Sequence, residues 1–273
     1  MKKIITLVLC IAMLCSACFG LTSCFGNKYR NLQIVELGLP MEYFGIAFRD
    51  GSDMTRKVED ITLELIKDGT LEKLSTKYEV GAVDEASYKP TAAACADSDD
   101  YAKIKAKGKL VIGITDYKPM DYKDESGNWI GFDAEYAEAV CAKLGVVAEF
   151  KEIEWDNKLI ALAAGEIDCI WNGMTITDAI EAAADCTQPY MKNTQVAVIH
   201  KDNAEKFKDL ASLAGATLAA ESGSAGEKVV QENASLAAGL KSVTAQTDAI
   251  LEVISGASDA AIVDLTLAKA LIK

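Results

Sequence analysis

The sequence predicts an α/β fold in two lobes, and three observations predict it. Residues 109–172 alternate β-rich apolar runs with amphipathic helical stretches. A second unit of the same kind begins near residue 195. The apolar half of the composition is mostly aliphatic, with only 7% aromatic residues, which suits sheets covered by helices.

In the first unit, Lys109–Thr115 (KLVIGIT) reads as a strand, followed by a turn-rich stretch, KDESGN. Asp133 stands where an N-cap would precede AEYAEAVCAKL, and Gly145 where the helix would stop. Phe132, Tyr136, Ala137, Val140, Cys141 and Leu144 recur at helical spacing and form one apolar stripe. Residues 146–153 read as a second strand, Asp156 as the cap of NKLIALAA closed by Gly165, and Ile167–Trp171 as a third strand. This β-α-β-α-β order implies a parallel sheet with right-handed crossovers. Ligands of such sheets bind beyond the carboxyl ends of the strands, here Thr115–Tyr117, Glu154–Trp155 and Asn172–Thr175. In the second unit, Gln195–His200, Ala216–Ala220 and Ala260–Val263 read as strands, and Glu227–Asn233 and Thr247–Ser255 as helices. Glu221–Gly226 is a small-residue loop. Two such units predict a cleft between them, the default place for a ligand.

The N-terminus reads as an export signal. Lys2 and Lys3 precede an uncharged apolar run over residues 4–18, too short for a membrane span. Leu21-Thr22-Ser23-Cys24 resembles a bacterial lipobox, which implies removal of residues 1–23 and acylation of Cys24; ordinary cleavage near Ala17 is the alternative reading. Two or more acyl chains give stable anchoring. The net charge of −13 disfavours nucleic acid as a partner. Outside the leader and Cys24 the cysteines are Cys95, Cys141, Cys169 and Cys186, with no CxxC pair, so neither a metal site nor thioredoxin-like chemistry is expected. Cys141 and Cys169 fall on apolar faces as buried thiols; a disulfide among the four stays open. Residues 83–100 are acidic and alanine-rich, contain Pro90, lack an apolar period, and read as a linker.

Taken in order, KLVIGITDYKPMDYKDESGNWIGFDAEYAEAV, EWDNKLIALAAGEIDCIWNGMTIT, QPYMKNTQVAVIHK, LAGATLAAESGSAGE and DAAIVD resemble the polar amino-acid solute-binding proteins of ABC importers over residues 109–264. The resemblance implies a two-lobe, hinged fold of the type II periplasmic-binding-protein kind. Glu42–Phe48 (EYFGIAF), RDGSD and Ile66–Tyr78 resemble that family's C-terminal end, yet here they precede the rest. The chain therefore resembles a circularly permuted member. One lobe would span 44–190, containing the linker, and the other 27–43 plus 191–273. Permutation is tolerated where ends are close and exposed, and closing a loop of this length costs little more than a shorter one.

The resemblance also implies site residues. Asp264 would take a ligand ammonium, Tyr117 and Trp155 would clamp it with aromatic faces, and Asn172, Gly173 and Thr175 would donate to a ligand carboxylate. Ser224 and Ala225 would contribute from the second lobe, at a helix start that favours anions. The plainer readings are a solvated strand-end acid, ordinary packing, an Asn-Gly turn and a strand-to-helix turn. The sequence departs from the family where Ile180 occupies the position that often carries a carboxylate-gripping Arg, and where Ile114 aligns with a frequent acid, although Asp116 is close by. The implied mechanism is hinge closure on the ligand and delivery to a membrane permease by a monomer that needs no cofactor. An enzyme of the same fold is one rival, weakened because the only histidine, His200, has no nucleophile or metal cluster to serve. A sensory or structural lipoprotein is the other.

Overall fold

The computed structural model describes residues 27–91 and 98–273. The leader, Cys24 and Cys95 lie outside the described residues. Over the rest, the chain forms β1 (Leu32–Glu36), β2 (Glu42–Arg49), α1 (Met54–Lys67), α2 (Thr70–Tyr78), α3 (Asp100–Lys107), β3 (Lys109–Ile114), β4 (Tyr122–Lys123), β5 (Trp129–Ile130), α4 (Phe132–Leu144), β6 (Val147–Glu152) and α5 (Lys158–Ala163). It continues with β7 (Cys169–Thr175), α6 (Asp178–Glu181), β8 (Ala184–Cys186), β9 (Met191–Asn193), β10 (Gln195–His200), β11 (Leu218–Glu221), α7 (Ala225–Glu232), β12 (Leu240–Val243), α8 (Gln246–Ser255), β13 (Ala260–Asp264) and α9 (Leu265–Leu271).

Two main sheets organise these elements. One has the order β6-β3-β7-β2-β8, with β9 also paired to β2; the other has the order β1-β10-β13-β11-β12. In the first, β3 pairs in parallel with β6 and β7, as the β-α-β-α-β reading requires, while β2 runs antiparallel to β7, β8 and β9. In the second, β11 is parallel to β12 and β13, and β10 lies antiparallel between β13 and β1. The chain passes between the sheets twice, from β1 to β2 and from β9 to β10. These passages touch: the Thr194 hydroxyl donates to Pro40 O at 3.2 Å.

Each sheet buries its own apolar core. Ala197, Ile199, Leu218, Val230 and Ile262 anchor one, joined by Phe207 and Leu213 from the intervening loop. Val111, Leu162, Ile167, Ile170 and Met174 anchor the other. Beside the latter is an aromatic nest in which Tyr136 meets Trp171 edge-on with centroids 4.7 Å apart and Tyr190 at 5.7 Å, geometries that rings favour.

Several local readings are corrected. Asp133 is not an N-cap, since α4 starts at Phe132 with Gly131 before it. Its side chain turns inward, because Gly173 N–H and the Tyr190 hydroxyl need a buried acceptor. Asp156 does not cap α5; residues 155–157 form a 3₁₀ turn and Asn157 precedes the helix. The third strand runs over Cys169–Thr175 rather than 167–171, because pairing with β2 carries it through the Asn-Gly pair. The other boundaries move by two residues or fewer. The stretch 83–100 is more than a spacer: Tyr88 is buried and Val83 N–H donates to Tyr190 O at 2.9 Å. Cys141, Cys169 and Cys186 are free thiols. His200 accepts from Asp202 N–H with Nδ1 at a local turn.

Candidate functional site

A cleft of about 490 Å³ opens at the ends of β7, β11 and β13. It is lined by all eight residues singled out in the sequence as ligand contacts: Tyr117, Trp155, Asn172, Gly173, Thr175, Ser224, Ala225 and Asp264. Residues of both sheets therefore meet there.

Asp264 ends β13 and is 4% exposed. Its Oδ1 accepts from Asn193 Nδ2 at 2.5 Å and Gln195 Nε2 at 2.6 Å, and its Oδ2 accepts from Gln246 Nε2. Gln246 Oε1 in turn accepts from Asp264 N–H at 2.9 Å. Three neutral amides orient this carboxylate without neutralising it. Burial raises its pKa, and the amide hydrogen bonds act the other way. The buried Tyr117 hydroxyl has no hydrogen-bond partner and lies close enough to Asp264 for the two to influence each other's ionisation. Glu42, on β2 of the other sheet, accepts from the same Gln195 Nε2 at 2.9 Å and from the Thr175 hydroxyl at 3.3 Å. The Gln195 amide thus ties the two sheets beside Asp264.

The Asn172–Thr175 segment is built differently from the expected donor turn. Asn172 accepts from Thr115 N–H and Oγ1 and donates to Thr115 O and Asp121 Oδ2, so its amide is fully occupied within the protein. Gly173 N–H donates to Asp133 at 2.6 Å. Gly173 has φ +55°, and a Cβ there would meet the Tyr117 ring at 2.5 Å. That close approach explains a glycine inside a strand.

Across the cleft, Ser224 caps α7, its Oγ accepting from Glu227 N–H at 3.1 Å while Glu227 accepts from Gly223 N–H at 2.8 Å, a reciprocal capping arrangement. The sheets meet again at Lys158. Its ammonium donates to Trp155 O at 3.1 Å and to Gly223 O at 2.8 Å, and lies 4.8 Å from the Trp155 ring centroid. Burial lowers its pKa, opposed chiefly by the charge of Glu221. A Cβ on Gly223, where φ is +72°, would stand 2.7 Å from Asp156 Cα, so glycine allows the two sides to close to this separation.

Sequence reasoning missed Glu42, Lys158, Asn193, Gln195, Glu221 and Gln246. Of these, Glu221 carried a signal, a charged residue ending the apolar run Leu218–Ala220. It is 3% exposed, lines the cleft, and leaves Oε1 without a partner. Burial, then the charge of Asp264, push its pKa up to about 8. Ile180 is buried and lines the cleft, so no guanidinium occupies that position.

The family model for bacterial extracellular solute-binding proteins, family 3, matches residues 110–272. The chain is 30% identical over 139 residues to the L-cystine-binding protein TcyJ of Escherichia coli (strain K12), 50% of this chain and 52% of the relative, so it spans about half the length of that curated protein. It is 31% identical over 183 residues to the arginine-binding extracellular protein ArtP of Bacillus subtilis (strain 168), 66% of this chain and 70% of the relative. Among solved structures, the arginine-bound form of truncated ArgBP from T. maritima shares 31% identity, with a TM-score of 0.60 over 63% of this chain and 80% of that one. An ancestral amino-acid-binding protein, described as a precursor of cyclohexadienyl dehydratase, shares 34% identity, with a TM-score of 0.59 over 62% and 75%. Fold, cleft and profile agree: the chain belongs to the bacterial extracellular solute-binding proteins of family 3.

Proposed function

We propose that this chain captures a small polar, amino-acid-like molecule in the cleft and delivers it to the permease of an ABC importer. The observation that carries the reading is Asp264, a buried carboxylate oriented by three neutral amides and opening beside Tyr117 and Trp155. Such a group is organised for a ligand ammonium, because a charge-assisted hydrogen bond to it forms with little rearrangement. Trp155 and Tyr117 wall the ligand, and Ser224 and Ala225 reach it from the opposite side. With Asn172 and Gly173 committed internally, their part is to shape the wall, and Thr175 offers its hydroxyl in competition with Glu42.

The lobes are residues 44–190, and 27–43 with 191–273. Ligand draws them together about the two passages near residues 37–41 and 194, since it touches both. The order of segments is a circular permutation of the family's. In support, β2, α1 and α2 complete the sheet that β3, β6 and β7 begin, with Phe44 opposite Thr175. A family of extracellular proteins places the chain outside the cytoplasm, and acylation of Cys24 would hold it as a monomer at the membrane near its permease.

The test is thermal unfolding of the purified protein against a panel of amino acids, oligopeptides and organic acids. Native-state ligands raise the melting temperature in proportion to ln(1 + [L]/Kd). A shift with an amino-acid class, lost in Asp264→Ala, supports the reading. A cooperative transition that no compound moves would overturn it.

A further inference from the structure

One buried polar atom in the cleft is left over. Glu221 Oε1 has no hydrogen-bond partner, although the residue is 97% buried and lines the same cavity as Asp264. The cleft lining carries Asp156, Glu221, Glu227, Glu232 and Asp264 against Lys158 and Lys228. Lys228 is paired with Glu232 at 3.8 Å, and Lys158 spends two donors on the carbonyls of Trp155 and Gly223. A second carboxylate beside Asp264, with a buried, vacant acceptor, calls for a cation or a proton.

We propose that Glu221 receives a second protonated nitrogen of the ligand, so that the cleft selects molecules carrying two cationic nitrogens, the first held by Asp264. This rests on the reading of the cleft as the ligand site and names the class of molecule it takes. The groups acting on Glu221 are Asp264 from β13 and Asp248 from α8, which raise its pKa, and Lys158 from α5 and the Gln246 backbone, which lower it; the un-ionised Tyr117 hydroxyl also faces it. In the empty cleft Glu221 holds a proton near neutral pH. When a ligand ammonium arrives, that proton passes to solvent, and the carboxylate accepts the ligand N–H. The same chemistry is available from a diamino acid or from a diamine without a carboxylate, and Ile180 in place of a cation makes the carboxylate a minor contributor.

The experiment is calorimetric titration of the purified protein with L-lysine, L-arginine, L-norleucine and 1,5-diaminopentane, in two buffers of different ionisation enthalpy at pH 7. L-lysine or L-arginine should bind at least ~10-fold more tightly than L-norleucine, the gain of one charge-assisted hydrogen bond, with net proton release. Glu221→Gln, an isosteric change, should remove most of that preference and the proton release; Glu221→Asp should keep the preference in part. Binding of 1,5-diaminopentane within ~10-fold of L-lysine identifies a diamine site, and weaker binding a diamino-acid site, both consistent with the role of Glu221. Equal affinity for L-lysine and L-norleucine, or a preference that survives Glu221→Gln, overturns the proposal. Should only neutral or acidic amino acids bind, this proposal fails and the proposed function stands. If no member of the wider panel binds, both fail.

Discussion

Two pairs of buried acids lie close to one another in this protein and serve different ends. Asp121 and Asp133 are fully buried beside the aromatic nest, and each leaves one oxygen without a partner. Burial raises the pKa of both, and the charge of Asp133 raises Asp121 further. Their remaining oxygens are spent on the protein itself: Asn172 on one, Gly173 N–H and the Tyr190 hydroxyl on the other. Asp264 and Glu221 are displaced in the same direction, yet they line the open cleft. The lesson is that a perturbed carboxyl marks a site only when its vacant acceptor faces a space a ligand can enter. Away from the cleft, the inner pair spends its other oxygens on Asn172 and Gly173 and so holds β7 in place.

Substitutions at the two pairs should separate these roles. Asp264→Ala should reduce ligand affinity by ~10²-fold or more, because it strips the ammonium acceptor from three pre-set amides. The same change should leave cooperative unfolding intact, as read by calorimetry. Asp133→Ala should instead lower stability by about 2–4 kcal/mol in urea unfolding, leaving Gly173 N–H and the Tyr190 hydroxyl unpaired in the interior. A variant at Asp133 with unchanged stability would end the distinction.

The pH dependence sharpens it. Glu221 has an ordinary carboxyl value of 4.5 in the unfolded chain and about 8 in the folded one. Between these values the unfolded chain has released a proton that the folded chain keeps. Its contribution is therefore fully present below pH 4.5 and is lost as pH rises through about 8, on the order of 5 kcal/mol. Asp121 and Asp133 act in the same sense. Urea midpoints of the ligand-free protein should fall from pH 5 to pH 8, and Glu221→Gln should remove part of the slope while the inner pair retains the rest. Identical slopes in both proteins would show that Glu221 does not titrate in this range.

A smaller effect is expected at the contact across the cleft. Gly223→Ala introduces a side chain at positive φ against Asp156. It should weaken ligand by roughly 10-fold through the closed state, seen as a faster off-rate in stopped-flow fluorescence with Trp155 as reporter. The smallest effect should follow from moving residues 27–91 behind Lys273. The reordered chain should bind with affinity within about twofold, since the contacts are unchanged and only surface connections differ.

Much of the parallel sheet was legible because its strands and helices are local and periodic: Lys109–Ile114, the stripe from Phe132 to Leu144 and the run into Asp264 all form as their patterns indicate. The eight candidate contacts also come together at one cleft. The failures are non-local. Asn172-Gly173 resembles a turn in isolation, but β2, more than a hundred residues earlier, pairs on either side of it, and Thr115, Asp121 and Asp133 hold the two residues between. Asp133 has the spacing of a cap, but its side chain serves a glycine forty residues later. The amides of Asn193, Gln195 and Gln246 carry no motif; they matter because one chain passage and a helix start converge on Asp264. Glu221 was visible as a charge ending an apolar run, and its meaning depends on neighbours from three other elements.

The position of β2 has a consequence for how the chain is made. This strand leaves the ribosome early, yet its ladder partners lie at residues 169–175, 184–186 and 191–193. Until residues 169–175 have been synthesised, it has no ladder partner. Contacts of such sequence separation form slowly, and an unpaired strand is a template for wrong association in the meantime. A chain carrying residues 42–78 last would dock them onto a finished sheet; this one must keep them waiting until residues 169–193 have been made.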